Sequence, residues 1–257
     1  MEVTIEQFNA TMAELEAGHL RVAQKVNGKW QVNAEVKQII LAGFKLGLIR
    51  DMSEGQFNFF DKDTFPVRKF TAEDGVRIVP GGSSIRRGAH LAKGAIVMPP
   101  AYINTGAYVD EGTMVDSHVT IGSCAQVGKH IHISASTQIG GVLEPAGALP
   151  TIIEDNAFIG GNCGIYEGTI VEEDAVIASG VIITSSTPLY DATKGKFLPK
   201  NENGRVVVPR GAVVVSGSRP ITKGPAAGSG MHLYCPVIIK YKDDKTSGSV
   251  TLEELLR

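Results

Sequence analysis

From Ile85 onward, in steps of six, the chain places an aliphatic residue at every stop: Ile85, Leu91, Val97, Ile103, Val109, Val115, Ile121, Val127, Ile133 and Ile139. In a chain that is 43% apolar, such a run arises by chance about 2 times in 10,000 for a given phase. The register then slips by eight residues across EPAGALPT and resumes at Ile153, Ile159, Ile165, Val171, Ile177, Ile183 and Leu189. Four residues after most of these positions stands a small or β-branched residue, as at Ala89, Ala95, Ala107, Thr113, Ala157 and Ala175. Just before it comes Gly, Asn, Asp, His or Ser in most repeats, as at Gly88, Gly94, Gly112, His118, Asn156, Asp174 and Gly180. Those residue types tolerate the positive φ of a tight corner. Each hexapeptide therefore predicts one short strand and one corner, with the aliphatic side chain inward. A sandwich would show period two with turns every 8–12 residues or so, and is excluded on that ground.

The flanks read differently. Thr4–Ala17 predicts an amphipathic helix with Ile5, Phe8, Met12 and Leu15 on one stripe. RVAQKV-NG-KWQV predicts a hairpin turning at Asn27-Gly28. Asn33 is placed to cap a second helix, AEVKQIILAGFKLGLI. Two segments break the repeat, at 145–152 and 190–207, and rungs return at Val208–Val213 and Val214–Arg219. SGSRPITKGPAAGSG has the composition of a flexible linker, LYCPVIIKYK that of a strand, and TLEELLR that of a short helix opened by a Thr251–Glu254 capping box.

Composition narrows the function. The chain has 257 residues, 25 Lys plus Arg and 27 Asp plus Glu, so no basic excess draws it to nucleic acid or an anionic membrane. No apolar run approaches the ~20 residues of a membrane span, and the first ten residues lack the features of a signal peptide. Three cysteines without a CxxC fit reduced thiols in a cytoplasmic protein, and no metal site is expected. Glycine, 30 of 257, exceeds the usual ~7% and fits a chain of corners.

The six-residue pattern resembles the hexapeptide-repeat family of left-handed parallel β-helices, in which three hexapeptides make one triangular coil. The resemblance implies a mainly β fold, with about three coils between Ile85 and Glu144 and two more between Ile153 and Pro188. The expected organisation is a small α-rich N-terminal domain at 1–78, the left-handed β-helix at 79–220 with excursions at 145–152 and 190–207, and a C-terminal strand and helix at 221–257. Flat β-helix faces offer no deep pocket, so ligands are expected in grooves between neighbouring prisms of a homotrimer.

More specific segments follow: AYINTGAYVDEGTMVDSHVTIGSCAQVGKHIHIS, then IGGVLEPAGALPTIIEDNAFIG, then VPRGAVVVSGSRP and LYCPVIIKYKDDKTSG. Together with LRVAQKVNGKWQV they resemble the tetrahydrodipicolinate N-succinyltransferases over nearly the whole chain. That resemblance implies transfer of succinyl from succinyl-CoA to the amine of the ring-opened acceptor in lysine and diaminopimelate synthesis. Succinyl-CoA is a co-substrate, and no cofactor is permanently bound. It implies Asp116 as amine binder and general base, Arg77 as the cation for the substrate carboxylates, and Glu167 as a second catalytic acid. Here Gly164 occupies the place where family members carry a glutamate, so Glu167 is the nearest acidic replacement. Gly180, Ser185, Ser216, Gly217, Arg219 and Lys223 are the implied contacts to CoA. Asp110 and Glu111 are further acids near Asp116 in sequence. The alternatives are a hexapeptide acetyltransferase with His118 as base, an acyltransferase serving an antibiotic pathway, and a structural scaffold. The histidine spacing does not match the zinc-dependent β-helical carbonic anhydrases.

Overall fold

The structure, a computed structural model, describes residues 3–166 and 168–242. Glu167 and the proposed terminal helix with its Thr251–Glu254 capping box lie outside the described residues.

The hexapeptides wind into a triangular left-handed parallel β-helix. Each strand pairs in parallel with one a full coil away: Met114 stands beside His132, and Val115 beside Ile133. Three faces result. Face I stacks inward residues from Ile78 through Val97, Val115, Ile133, Ile159 and Ile177 to Val214. Face II runs from Ile85 through Ile121 and Ile139 to Ile183. Face III runs from Leu91 through Val109 and Ile153 to Val208. These side chains, except the partly buried Ile78 at one end, form one buried column with Ala89, Ala95, Ala107, Ala157 and Ala175.

The corners behave as their residue types require. Gly88, Gly94, Gly106, Gly112, His118, Asn156, Asn162, Gly168, Asp174 and Gly180 all have positive φ. Cys124, His130 and Ser136 join them in the same phase. The corner conformation is thus imposed by the winding, and the non-glycine residues accept its strain because the stacked coils hold them.

Helix α1 spans Ile5–Ala17, with a Thr4–Gln7 capping box at its start and Gly18 in the left-handed region at its end. Helix α2 spans Ala34–Leu46, capped by Asn33. It stops three residues short of the sequence expectation because Gly47 turns extended and Ile49 enters a strand pair with Phe60–Lys62. Phe8, Met12, Leu15, Val36, Ile40 and Phe65 form a second core, which Cys124 joins from a β-helix corner. Lys37 on α2 is fully buried, and its ammonium donates to the carbonyls of Pro145 (3.3 Å) and Ala148 (2.8 Å). This clamps the first excursion onto α2.

The linker expected from composition is instead a hairpin arm. Ser218–Pro220 pairs antiparallel with His232–Tyr234. The strand expected across LYCPVIIKYK is split at Cys235–Pro236, and its second half, Val237–Tyr241, covers the end of face I. Its partner Asp191, fully buried, accepts from Tyr241 Oη (2.7 Å), Lys194 Nζ (2.9 Å) and Thr193 Oγ1 (2.6 Å).

Candidate active site

Asp116 follows the face I strand Met114–Val115 and turns the corner from face I to face II. Its carboxylate is 30% exposed. Oδ1 accepts the Ser117 N–H at 2.7 Å. The same self-capping occurs at Asn104 and Asp110, each 2.8 Å from the next N–H, so this contact belongs to the rung and not to any chemistry. The second oxygen is distinctive: Oδ2 stands 3.6 Å from His132 Nε2 on the next coil.

The corner of Asp116 belongs to a continuous column, which extends one coil lower through His118 N–H to Pro100 O. Ser136 N–H bonds Ser117 O, Asn162 N–H bonds Ala135 O, and Gly180 N–H bonds Gly161 O. Ser216 Oγ then donates to the Gly180 carbonyl at 3.2 Å. Asp116, Gly180 and Ser216 thus share one edge of the prism. Gly180 stands three coils above the Asp116 corner, roughly 14 Å at ordinary strand spacing. Arg77 lies on face I, in the same outward row as Ile96, Met114 and His132, two coils below Met114, roughly 10 Å away. It is exposed and makes no ion pair with another described residue.

Other candidates separate. Asp110 turns a different corner, after the face III strand Tyr108–Val109, and Glu111 pairs with Lys129 at 3.5 Å. His118 is exposed at its corner. The histidine beside Asp116 is therefore His132, delivered by coil stacking, and not the neighbour in sequence. Ser185 sits in the turn after Ile182–Ile183, and Lys223 is exposed in the hairpin loop. Gly217 is tight for a structural reason: a Cβ there would come within 2.6 Å of Val237 Cγ2.

Arg219 lines a cavity of about 390 Å³ with Tyr190, Phe197, Thr222, Cys235 and Val237. Its Nε is buried without a hydrogen-bond partner. Tyr234, which sequence reasoning passed over, accepts the Ile182 N–H at 2.7 Å and so caps the last face II strand beside Gly180. The only sequence signal for it was the aromatic in LYCP, whose placement depends on the hairpin.

Gly164, an outward position on face II, is sealed. A Cβ there would lie 2.4 Å from Tyr166 Cε2, so the tyrosine ring fills the space an acidic side chain would need. The cysteines are poor nucleophiles. Burial pushes the Cys124 thiol up to about 12 and that of Cys163 up to about 11. Among the described residues no cluster of His, Cys, Asp and Glu could hold a metal, and no helix is long and apolar enough to cross a membrane.

Comparison with known proteins gives a consistent answer. Residues 2–46 match the family model "Tetrahydrodipicolinate N-succinyltransferase N-terminal", and residues 150–185 match "Hexapeptide repeat of succinyl-transferase". A 2,3,4,5-tetrahydropyridine-2,6-dicarboxylate N-succinyltransferase of Methylococcus capsulatus is 51% identical, over 95% of this chain and 86% of its own length. Relatives with the same name from Alkalilimnicola ehrlichii and Sodalis glossinidius are 50% and 45% identical, over 98% and 99% of this chain and 89% of theirs.

Proposed function

The chain belongs to the tetrahydrodipicolinate N-succinyltransferase family, and on that premise we propose that it moves succinyl from succinyl-CoA to the amine of ring-opened tetrahydrodipicolinate in lysine and diaminopimelate synthesis. The observation that supports this most is the single edge carrying Asp116, Gly180 and Ser216, with Arg77 below it.

An ammonium is no nucleophile, so the acceptor must first lose a proton. Asp116 Oδ2, open beyond its turn, is the base. Arg77 supplies a fixed cation for a substrate carboxylate. The thioester arm of CoA lies along the edge from Ser216 and Gly180 down toward Asp116. Beside Asp116 the amine attacks the thioester carbonyl, the N–C bond forms and the C–S bond breaks. The amine proton passes through Asp116 to the departing CoA thiolate. The reading takes transfer as direct, and burial, which raises the Cys124, Cys163 and Cys235 thiols, gives no support to an acyl-cysteine. Gly180, Ser216 and Gly217 contact the arm, and Ser185, at the next corner, is retained as a contact on resemblance alone. Arg219, in its aromatic-lined cavity, and Lys223 meet the phosphates. Glu167 is retained as a second acid on resemblance alone.

One protomer offers only one wall of this edge. The outward row of face I includes Ile96, Met114 and Phe158, all half-buried and apolar, which suits a second prism packing there in a homotrimer. Sedimentation of the purified protein tests that assembly.

Gly164 favours one further reading. With Tyr166 over the place of the family's glutamate, the acceptor amine meets a different surface. A related acyltransfer to another amine, such as one in an antibiotic pathway, is the alternative. Release of free thiol from succinyl-CoA only when an aminopimelate-type acceptor is present is the expected result. Preference for acetyl-CoA in direct competition, or for an unrelated amine, overturns the assignment, and absence of any transfer favours a scaffold.

A further inference from the structure

We propose that His132 is the positioning residue of Asp116: its Nε2 holds the outer carboxylate oxygen and governs the pH range in which that oxygen takes the amine proton. The inference rests on the reading of Asp116 as base. Three observations carry it. His132 Nε2 is shut off from solvent and has no hydrogen-bond partner, an exceptional state for a ring nitrogen whose side chain is 44% exposed. The one charged atom it faces is Asp116 Oδ2, at 3.6 Å. The ring is also steered: His132 lies in register between Met114 and Phe158, and the Phe158 ring meets it edge-on at 5.4 Å and 80°.

The surroundings of the imidazole are simple. The coil below presents Met114 and Asp116, and the coil above presents Phe158. Among the described residues Asp116 is the sole ionisable partner within ion-pair distance of it. A neutral imidazole with its proton on Nε2 donates to Oδ2 and, with Ser117 N–H on Oδ1, fixes both oxygens. The 3.6 Å separation is long for that bond, and it is expected to tighten in the substrate complex, as catalytic contacts commonly do. An imidazolium at the same place binds the carboxylate more strongly, lowers its basicity and competes with the substrate ammonium. Turnover should therefore rise with pH through a single limb that depends on His132.

The test is the pH profile of kcat/KM for the full-length enzyme, with succinyl-CoA and an aminopimelate acceptor. The wild type should show the limb. His132→Gln keeps a neutral donor, so it should lose the limb while its plateau falls less than that of His132→Leu. His132→Leu should lose the limb and about tenfold of the plateau. Circular dichroism confirms folding of both. A limb that persists in both variants, or is absent from the wild type, overturns the inference. Asp116→Asn separates the two claims: full activity there refutes the reading of the site, whereas an inactive Asp116→Asn with unchanged His132 profiles refutes this inference alone.

Discussion

Faces I and III share one inward repeat and differ only in what stands outside. On face III the outward residues Gln126, Ile152 and Ile170 are buried. The N-terminal hairpin covers them: Trp30 and Val32 pack against Ile152, Ile170 and Leu149, and Arg21 lies 3.7 Å over the Tyr108 ring. On face I the outward row runs Arg77, Ile96, Met114, His132 and Phe158, none of them fully covered, and only its last two members, Val176 and Val213, are buried. The same coil therefore serves two purposes. One outer face is spent on holding the N-terminal hairpin, and the other stays uncovered along its lower coils. The inward column makes the prism, and outward residues decide its use.

Substitutions on each side break the comparison in different ways. The largest effect is expected at Asp116. Asp116→Asn keeps an acceptor for Ser117 N–H but loses the base, so turnover should fall by about 10²–10⁴-fold, with the urea midpoint unmoved. A lowered midpoint would place Asp116 among the structural corner residues instead.

On the covered side, Glu154 is 7% exposed and its Oε1 accepts from Trp30 Nε1 (2.6 Å) and Lys25 Nζ (2.8 Å). Glu154→Ala leaves the Trp30 N–H without its acceptor while the 41% exposed Lys25 turns to water, and a loss of about 1–2 kcal/mol in urea unfolding is expected. Activity per folded molecule should be retained, the reverse of the Asp116 result.

Asp191 sharpens the picture at the capped end of face I. Burial pushes its carboxyl up, but hydrogen bonds from Thr193, Tyr241 and Lys194 outweigh burial and hold it below the usual carboxylate range. Its stabilisation is complete above the unfolded value of about 3.9 and is lost as pH falls toward the lower folded value. Asp191→Asn should cost about 1–2 kcal/mol at neutral pH and flatten the fall in stability below about pH 4. Unfolding midpoints measured from pH 3 to pH 6 would show a parallel acid limb if the network contributes nothing.

The smallest effect belongs to the interior that both faces share. On face III, Ile153→Val removes one methylene from a buried position and should cost about 1 kcal/mol. Calorimetry should find the same modest loss at Ile133, a face I position.

Much of this architecture was legible before any coordinates. The coils, the hairpin at Asn27-Gly28 and the caps at Thr4 and Asn33 all follow from local pattern, because each depends on residues within one turn or one rung. Asp116 was legible as an outward corner carboxylate. His132 was not, because its link to Asp116 runs between coils. The neighbour in sequence, His118, drew attention instead. Lys37 was equally hidden, since nothing in a helical stripe announces that its ammonium will end on two carbonyls of a loop over one hundred residues away. The hairpin of Ser218–Tyr234 was disguised by Gly, Ser and Pro, which mark turns and linkers alike.

By itself the sequence determined the winding, since a six-residue alternation of aliphatic and corner residues has one way to bury every aliphatic side chain. Tertiary structure alone decided which outer face stays open, that Tyr166 closes the space over Gly164, and that His132 stands against Asp116. Those pairings join separate rungs or distant segments, and their free energy depends on side chains meeting in space, which no local periodicity encodes.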